Sequence, residues 1–85
     1  MNDLPNVDAV KTGKMITWWM KKNRMDSFSL ALILGMRNLT TIYAWRQGRH
    51  LPGIDYFVKL ANIFGCELND LIVLEGEERN EIFDW

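Results

Sequence analysis

The chain has 85 residues, nearly half of them apolar, with four Trp, four Phe, a single Cys, a single His and a formal net charge of −1. That length sets one domain in which about 60% of the unfolded surface is buried, and one Cys with one His excludes an internal disulfide and a dedicated metal site. The longest apolar run, around Leu30 to Met36, is far below the roughly 18–20 residues of a membrane span; with no charged-then-apolar signal pattern at the N-terminus, a soluble cytoplasmic protein without a membrane partner is expected.

Every local signal favours helices. The first is expected from about Val10 to Asn23, with Ile16, Trp19, Met20 and Asn23 on one stripe. Lys21, Lys22 and Arg24 stand near its C-terminal end, where the helix dipole favours cations. Asp26 is the expected N-cap of a second helix that buries Leu30, Ala31 and Leu34 and stops at Gly35. Asn38 caps a third, which buries Ile42 and Trp45 and stops at Gly48. Pro52 blocks helical continuation backwards and Gly53 caps a fourth helix, where Phe57, Leu60, Ala61 and Phe64 follow i, i+3, i+4, i+7 spacing before Gly65. A fifth helix from about Leu68 to Leu74 presents Leu68, Leu71 and Ile72. The expected fold class is all-α, a compact five-helix domain spanning residues 1–85.

Three further features stand outside those stripes. Trp18 and Ile33 fall off the expected buried faces, which marks either an interface or a helix phase displaced by one residue. Cys66 reads as a small buried filler. The segment 75–85 is acidic with Ile82, Phe83 and Trp85 interleaved, and is expected to dock those apolar residues on the body or on a second subunit.

Charge is unevenly spread. Residues 1–66 carry nine Lys and Arg against four acids, whereas residues 67–85 carry seven acids against Arg79. A basic body with an acidic tail suits a phosphate-binding face, and equally an unevenly charged solvated surface. No carboxylate pair, nucleophile–base pair or glycine-rich phosphate loop is present, so no enzyme, no cofactor and no small-molecule substrate is expected. The two short helices between Ser27 and Gly48, joined by a tight turn, have the form that a reader of the DNA major groove needs.

Leu30-Ala31, Gly35, Thr41-Ile42, Trp45, Gly48, Pro52, Phe57, Leu60-Ala61, Gly65 and Leu71 stand in an order and spacing that resembles the Cro/repressor-type (XRE-like) helix-turn-helix family of phage and bacterial regulators. The resemblance covers about Met15 to Leu74. It implies a lambda-repressor-like fold with the helix-turn-helix at the second and third helices. The implied partner is double-stranded DNA, bound by a homodimer at a near-palindromic site with half-sites about 34–36 Å apart.

The family's base-reading positions fall on Leu39, Thr40 and Ala44, with Thr41 and Tyr43 as neighbours. This set lacks the bidentate readers that select guanine or adenine. Leu39, Ala44 and the Thr40 methyl group are suited to thymine methyls, which implies modest specificity, a preference for A·T-containing sites and a share of shape readout; the other reading of Leu39 is packing against a neighbour. Arg37, in the turn, is the candidate for an added base contact. Ser27, Tyr43, Gln47, Arg49 and His50, with Arg46, are the candidate phosphate ligands, the other reading of Arg49 and His50 being an ordinary polar loop.

The sequence departs from the family pattern at three places. The Gly35–Gly48 interval is one residue longer, placed at Met36-Arg37. Ser27 stands where the family often has Gln. Met20 and Arg46 stand where it often has a paired Arg and Glu, which implies that Arg46 is freed toward solvent or phosphate. A sequence-specific transcriptional regulator, with repression as the expected mode, is therefore the leading expectation. The alternative is a protein-interaction module that keeps the fold without strong DNA binding.

Overall fold

The structure is a computed structural model that describes residues 4–79. It is built from α1 (Ala9–Lys22), α2 (Ser27–Leu34), α3 (Thr40–Gln47), α4 (Ile54–Phe64) and α5 (Leu68–Leu71). The described residues contain no strand beyond an isolated antiparallel bridge between Val7 and Leu74, and none of their helices is long and apolar enough to cross a membrane. Ile82, Phe83 and Trp85, expected to dock, lie outside the described residues.

Side chains that accept from free N–H groups start the first two helices. Asp8 accepts from the Lys11 amide at 2.9 Å and Asp26 from that of Ser29 at 2.8 Å. The bond from Ser29 holds the Asp26 carboxyl below its ordinary value of 3.8. Because the folded-state value is depressed, this stabilisation is complete above about pH 5 and is lost as the pH falls below about 4. Thermal midpoints followed from about pH 5 down to well below about pH 4 should therefore fall more in the parent than in Asp26→Asn, since Asn caps without titrating; parallel curves would show that the cap does not contribute this way.

The helix ends share one geometry. Gly35, Gly48 and Gly65 each follow their helix in the left-handed region, and the next amide reaches back to a carbonyl in the last turn: Met36 to Ala31, Arg49 to Ala44 and Cys66 to Ala61. α1 ends the same way without a glycine. Arg24 takes φ 56° and the Met25 amide bonds to the Met20 carbonyl.

The core joins Ile16 and Met20 of α1, Leu30 and Ala31 of α2, Ile42 and Trp45 of α3, Phe57, Leu60, Ala61 and Phe64 of α4, and Leu71 of α5. These are the expected stripes, and Leu34 is half-buried beside them. Trp19 stacks on Phe64 with centroids 6.4 Å apart and donates from Nε1 to the Asp70 carbonyl, tying α1 to α5. Trp18 is half-buried, edge-on to Trp19 with the Lys22 ammonium over its ring. Cys66 is half-buried against the core, and burial followed by the Asp70 and Glu67 charges pushes its thiol up to about 11.

α5 is shorter than the apolar pattern to Leu74 implies. It stops at Leu71, and Ile72 is already extended. Val73 is then buried, its amide donating to Thr12 Oγ1 at 3.0 Å, while Asp8 donates its amide to the Val73 carbonyl at 2.7 Å. The residues after α5 thus pair with the segment entering α1, and the backbone groups that one more helical turn would satisfy find partners there instead. Arg79 closes the other side, donating to the carbonyls of Asn69, Asp70 and Ile72.

α1 crosses the C-terminal end of α3 at very short range. A Cβ on Gly13 would press on the Trp45 carbonyl oxygen and stand 2.8 Å from that of Arg46, and one on Gly48 would stand 2.6 Å from Val10 Cα. Glycine at both points lets the two backbones meet, which fixes the position of α3 on the body.

Candidate nucleic-acid interface

α3 buries Ile42 and Trp45 and turns Thr40, Thr41, Tyr43 and Gln47 outward. At 100° per residue those four lie within one arc of about 160°. Asn38 Oδ1 accepts from the Thr40 amide at 3.0 Å, so the expected capping side chain does bind the start of the helix, while the backbone N-cap is Leu39, one residue later. Arg37 and Asn38 precede α3 and Arg49 and His50 follow it, all exposed. Residues 35–54 hold three Arg and one His and no Asp or Glu. Of the expected site residues, Arg37, Thr40, Thr41, Tyr43, Gln47, Arg49 and His50 are therefore exposed on or beside one helix, in a stretch of chain that meets its next acid at the exposed Asp55.

Four other expected site residues are differently disposed. Ala44 is only 5% exposed. The chain returning from Gly48 folds over it, the Arg49 amide donating to the Ala44 carbonyl, and Ala44 ends in a cleft of about 440 Å³ lined by Thr40, Thr41, His50, Leu51 and Tyr56. A methyl group reaches it only by entering that cleft. Leu39 is half-buried and packs against the core, the second of its two readings, because the turn draws it beneath α3.

Ser27 and Arg46 correct the expectation most clearly. Ser27 is 4% exposed and its Oγ accepts from Arg46 at 2.7 Å; Arg46 Nε donates to Thr17 Oγ1 at 3.1 Å. Thr17 Oγ1 in turn donates to the Gly13 carbonyl at 3.0 Å. One guanidinium thus ties α1, α2 and α3 through two hydroxyls. It is not freed toward solvent, and Ser27 is not open to a phosphate. The physical reason is a chain of short donors. No carboxylate pairs with Arg46 among the described residues, so two hydroxyls take its N–H groups.

Sequence reasoning missed Gly13 and Thr17 as supports of this region. The i, i+4 pairing of Thr17 with Gly13 along α1 is readable afterwards, but nothing in the local sequence says that α3 lies against it. The chain matches no protein-family model, no curated protein and no solved structure.

Proposed function

We propose that this protein is a DNA-binding transcriptional regulator that lays α3 in the major groove. The observation that carries the reading is the exposed arc of Thr40, Thr41, Tyr43 and Gln47, with Arg37 at one end, Arg49 and His50 at the other, and no acidic residue from 35 to 54. The family resemblance supports it. Arg37, Arg49 and His50 hold the phosphates, Thr40 and Thr41 meet base edges, and the Ala44 cleft admits a thymine methyl. Regulation is steric, through occupancy of the site by a homodimer.

A salt titration of binding to mixed genomic fragments tests this. With Ser27 and Arg46 engaged internally, the cationic contacts are few, and the log–log slope should be roughly −2 to −3 per subunit. Arg49→Ala should reduce that slope by about 1 and weaken binding to all sequences alike, while Thr40→Ala should change which sequences are selected from a random pool. No binding at low salt would remove the regulator reading. It would leave the protein-interaction module, which the exposed Tyr43, Leu51 and Ile54 near the same cleft favour.

A further inference from the structure

α2 carries an apolar surface that no other described element covers. Within Ser27–Leu34 only Ser27 and Ser29 are polar. The helix buries Ser27, Leu30 and Ala31, yet Phe28 is 60%, Leu32 64% and Ile33 55% exposed on the opposite side. A helix on a solvated surface ordinarily shows polar residues there. Three such side chains expose roughly 300 Å², comparable with the largest patch of a typical monomer, which is often functional. Ile33 also borders a shallow groove shared with α4 and lined by Leu34, Lys59, Asn62 and Ile63.

The ends of this surface differ in charge. Asp26, exposed, caps the N-terminal end of α2; Lys59 stands beside Ile33 at the other end, and Arg37 follows α2 there. A surface that runs from acid through apolar to base matches itself when turned through 180°. A uniformly acidic partner would meet Asp26, and a uniformly basic one would meet Lys59 and Arg37. A second copy meets its opposite at both ends. Arg24, two residues before Asp26, dilutes the acidic end, so apolar contact rather than the charge pair supplies most of the attachment.

We infer that two copies of this chain pair through antiparallel α2 helices, packing Phe28, Leu32 and Ile33 against their counterparts and setting each Asp26 toward the partner subunit's Lys59. The pairing stands independently of whether α3 reads DNA. Its apolar area is well below the about 800 Å² per partner of a standard interface, so association is weak and depends on concentration.

Sedimentation of the DNA-free protein from about 5 to about 500 μM tests this, since mass action alone then moves the population. The weight-average mass should rise from one chain toward two. Leu32→Glu and Phe28→Glu, both at exposed positions, should keep the parent's helical circular dichroism and remain single chains throughout. Asp26→Asn and Lys59→Gln should each weaken pairing a few-fold, and together by less than the product of the two effects. A parent that stays single at every concentration overturns the inference, as does pairing that survives Leu32→Glu. Pairing seen only in a chain ending at residue 79 also overturns it, since the segment 80–85 would then be the occupant.

Discussion

Gly13→Ala should destabilise the domain by about 2–3 kcal/mol, visible as a fall of about 10–20 °C in the thermal midpoint for a chain of this size. The sign is the informative part. In an exposed helix interior the same change stabilises by about 1 kcal/mol, because Ala is the better helix former. Here the added methyl meets the backbone oxygens of Trp45 and Arg46 rather than a flexible side chain. Neither oxygen can swing away, since both belong to the last turn of α3, so α1 and α3 must separate and disturb the packing of Ile16 on Ile42 and Trp45. Thermal unfolding followed by circular dichroism measures the change. A neutral or stabilised variant would show that the helices do not approach this closely.

Thr12→Val should cost about 2 kcal/mol with almost no change in shape, and Thr12→Ser should recover most of it. Thr12 is fully buried, and its Oγ1 both accepts from the Val73 amide at 3.0 Å and donates to the Val73 carbonyl at 3.4 Å. Valine fills the same volume but leaves the Val73 amide buried without a partner, and an unsatisfied buried donor carries the full desolvation penalty of about 1–3 kcal/mol. Denaturant midpoints of the three proteins, with unchanged slopes, measure the effect. Equal midpoints for Val and Ser would assign the loss to packing instead of to the hydrogen bond.

Both positions lie where sequence reasoning is weakest. The helix ends at Gly35, Gly48 and Gly65 are legible because glycine in the left-handed region is a local signal, and so is the Asp26 cap. The stripe Phe57, Leu60, Ala61, Phe64 is legible because burial on one face imposes the period. Arg24 gives no such signal, for the left-handed turn after α1 is imposed by where Met25 must go. The spacing of Leu68, Leu71 and Ile72 extends α5 beyond its real end; what ends it is pairing with residues 61 positions earlier in the chain, and no window of sequence holds both partners.

The candidate interface divides in the same way. The exposed residues of α3 and its flanking Arg37, Arg49 and His50 follow from helical phase alone. The disposition of Ser27, Arg46, Leu39 and Ala44 does not, because it depends on which helix each meets. Arg46 stands where the family often has the Glu of an Arg–Glu pair, and with both members changed the sequence offers it no ionic partner; that two hydroxyls on different helices take its N–H groups is a tertiary fact. Ile33 falls off the buried stripe in the sequence and is exposed in the structure, so the phase of α2 is not displaced.

The bridge between Val7 and Leu74, with Thr12 locked onto Val73, also bears on how the molecule is made. During synthesis α1 precedes Val73 and Leu74, so until those residues leave the ribosome its opening turn has the local Asp8 cap but not the bonds to Val73. Its first turn therefore waits, exposed, while more than sixty residues are added at roughly 5–20 per second, an interval of several seconds. For a nascent chain this is a window of vulnerability to proteases and chaperones at the amino-terminal side, and it closes only once Val73 and Leu74 have left the ribosome.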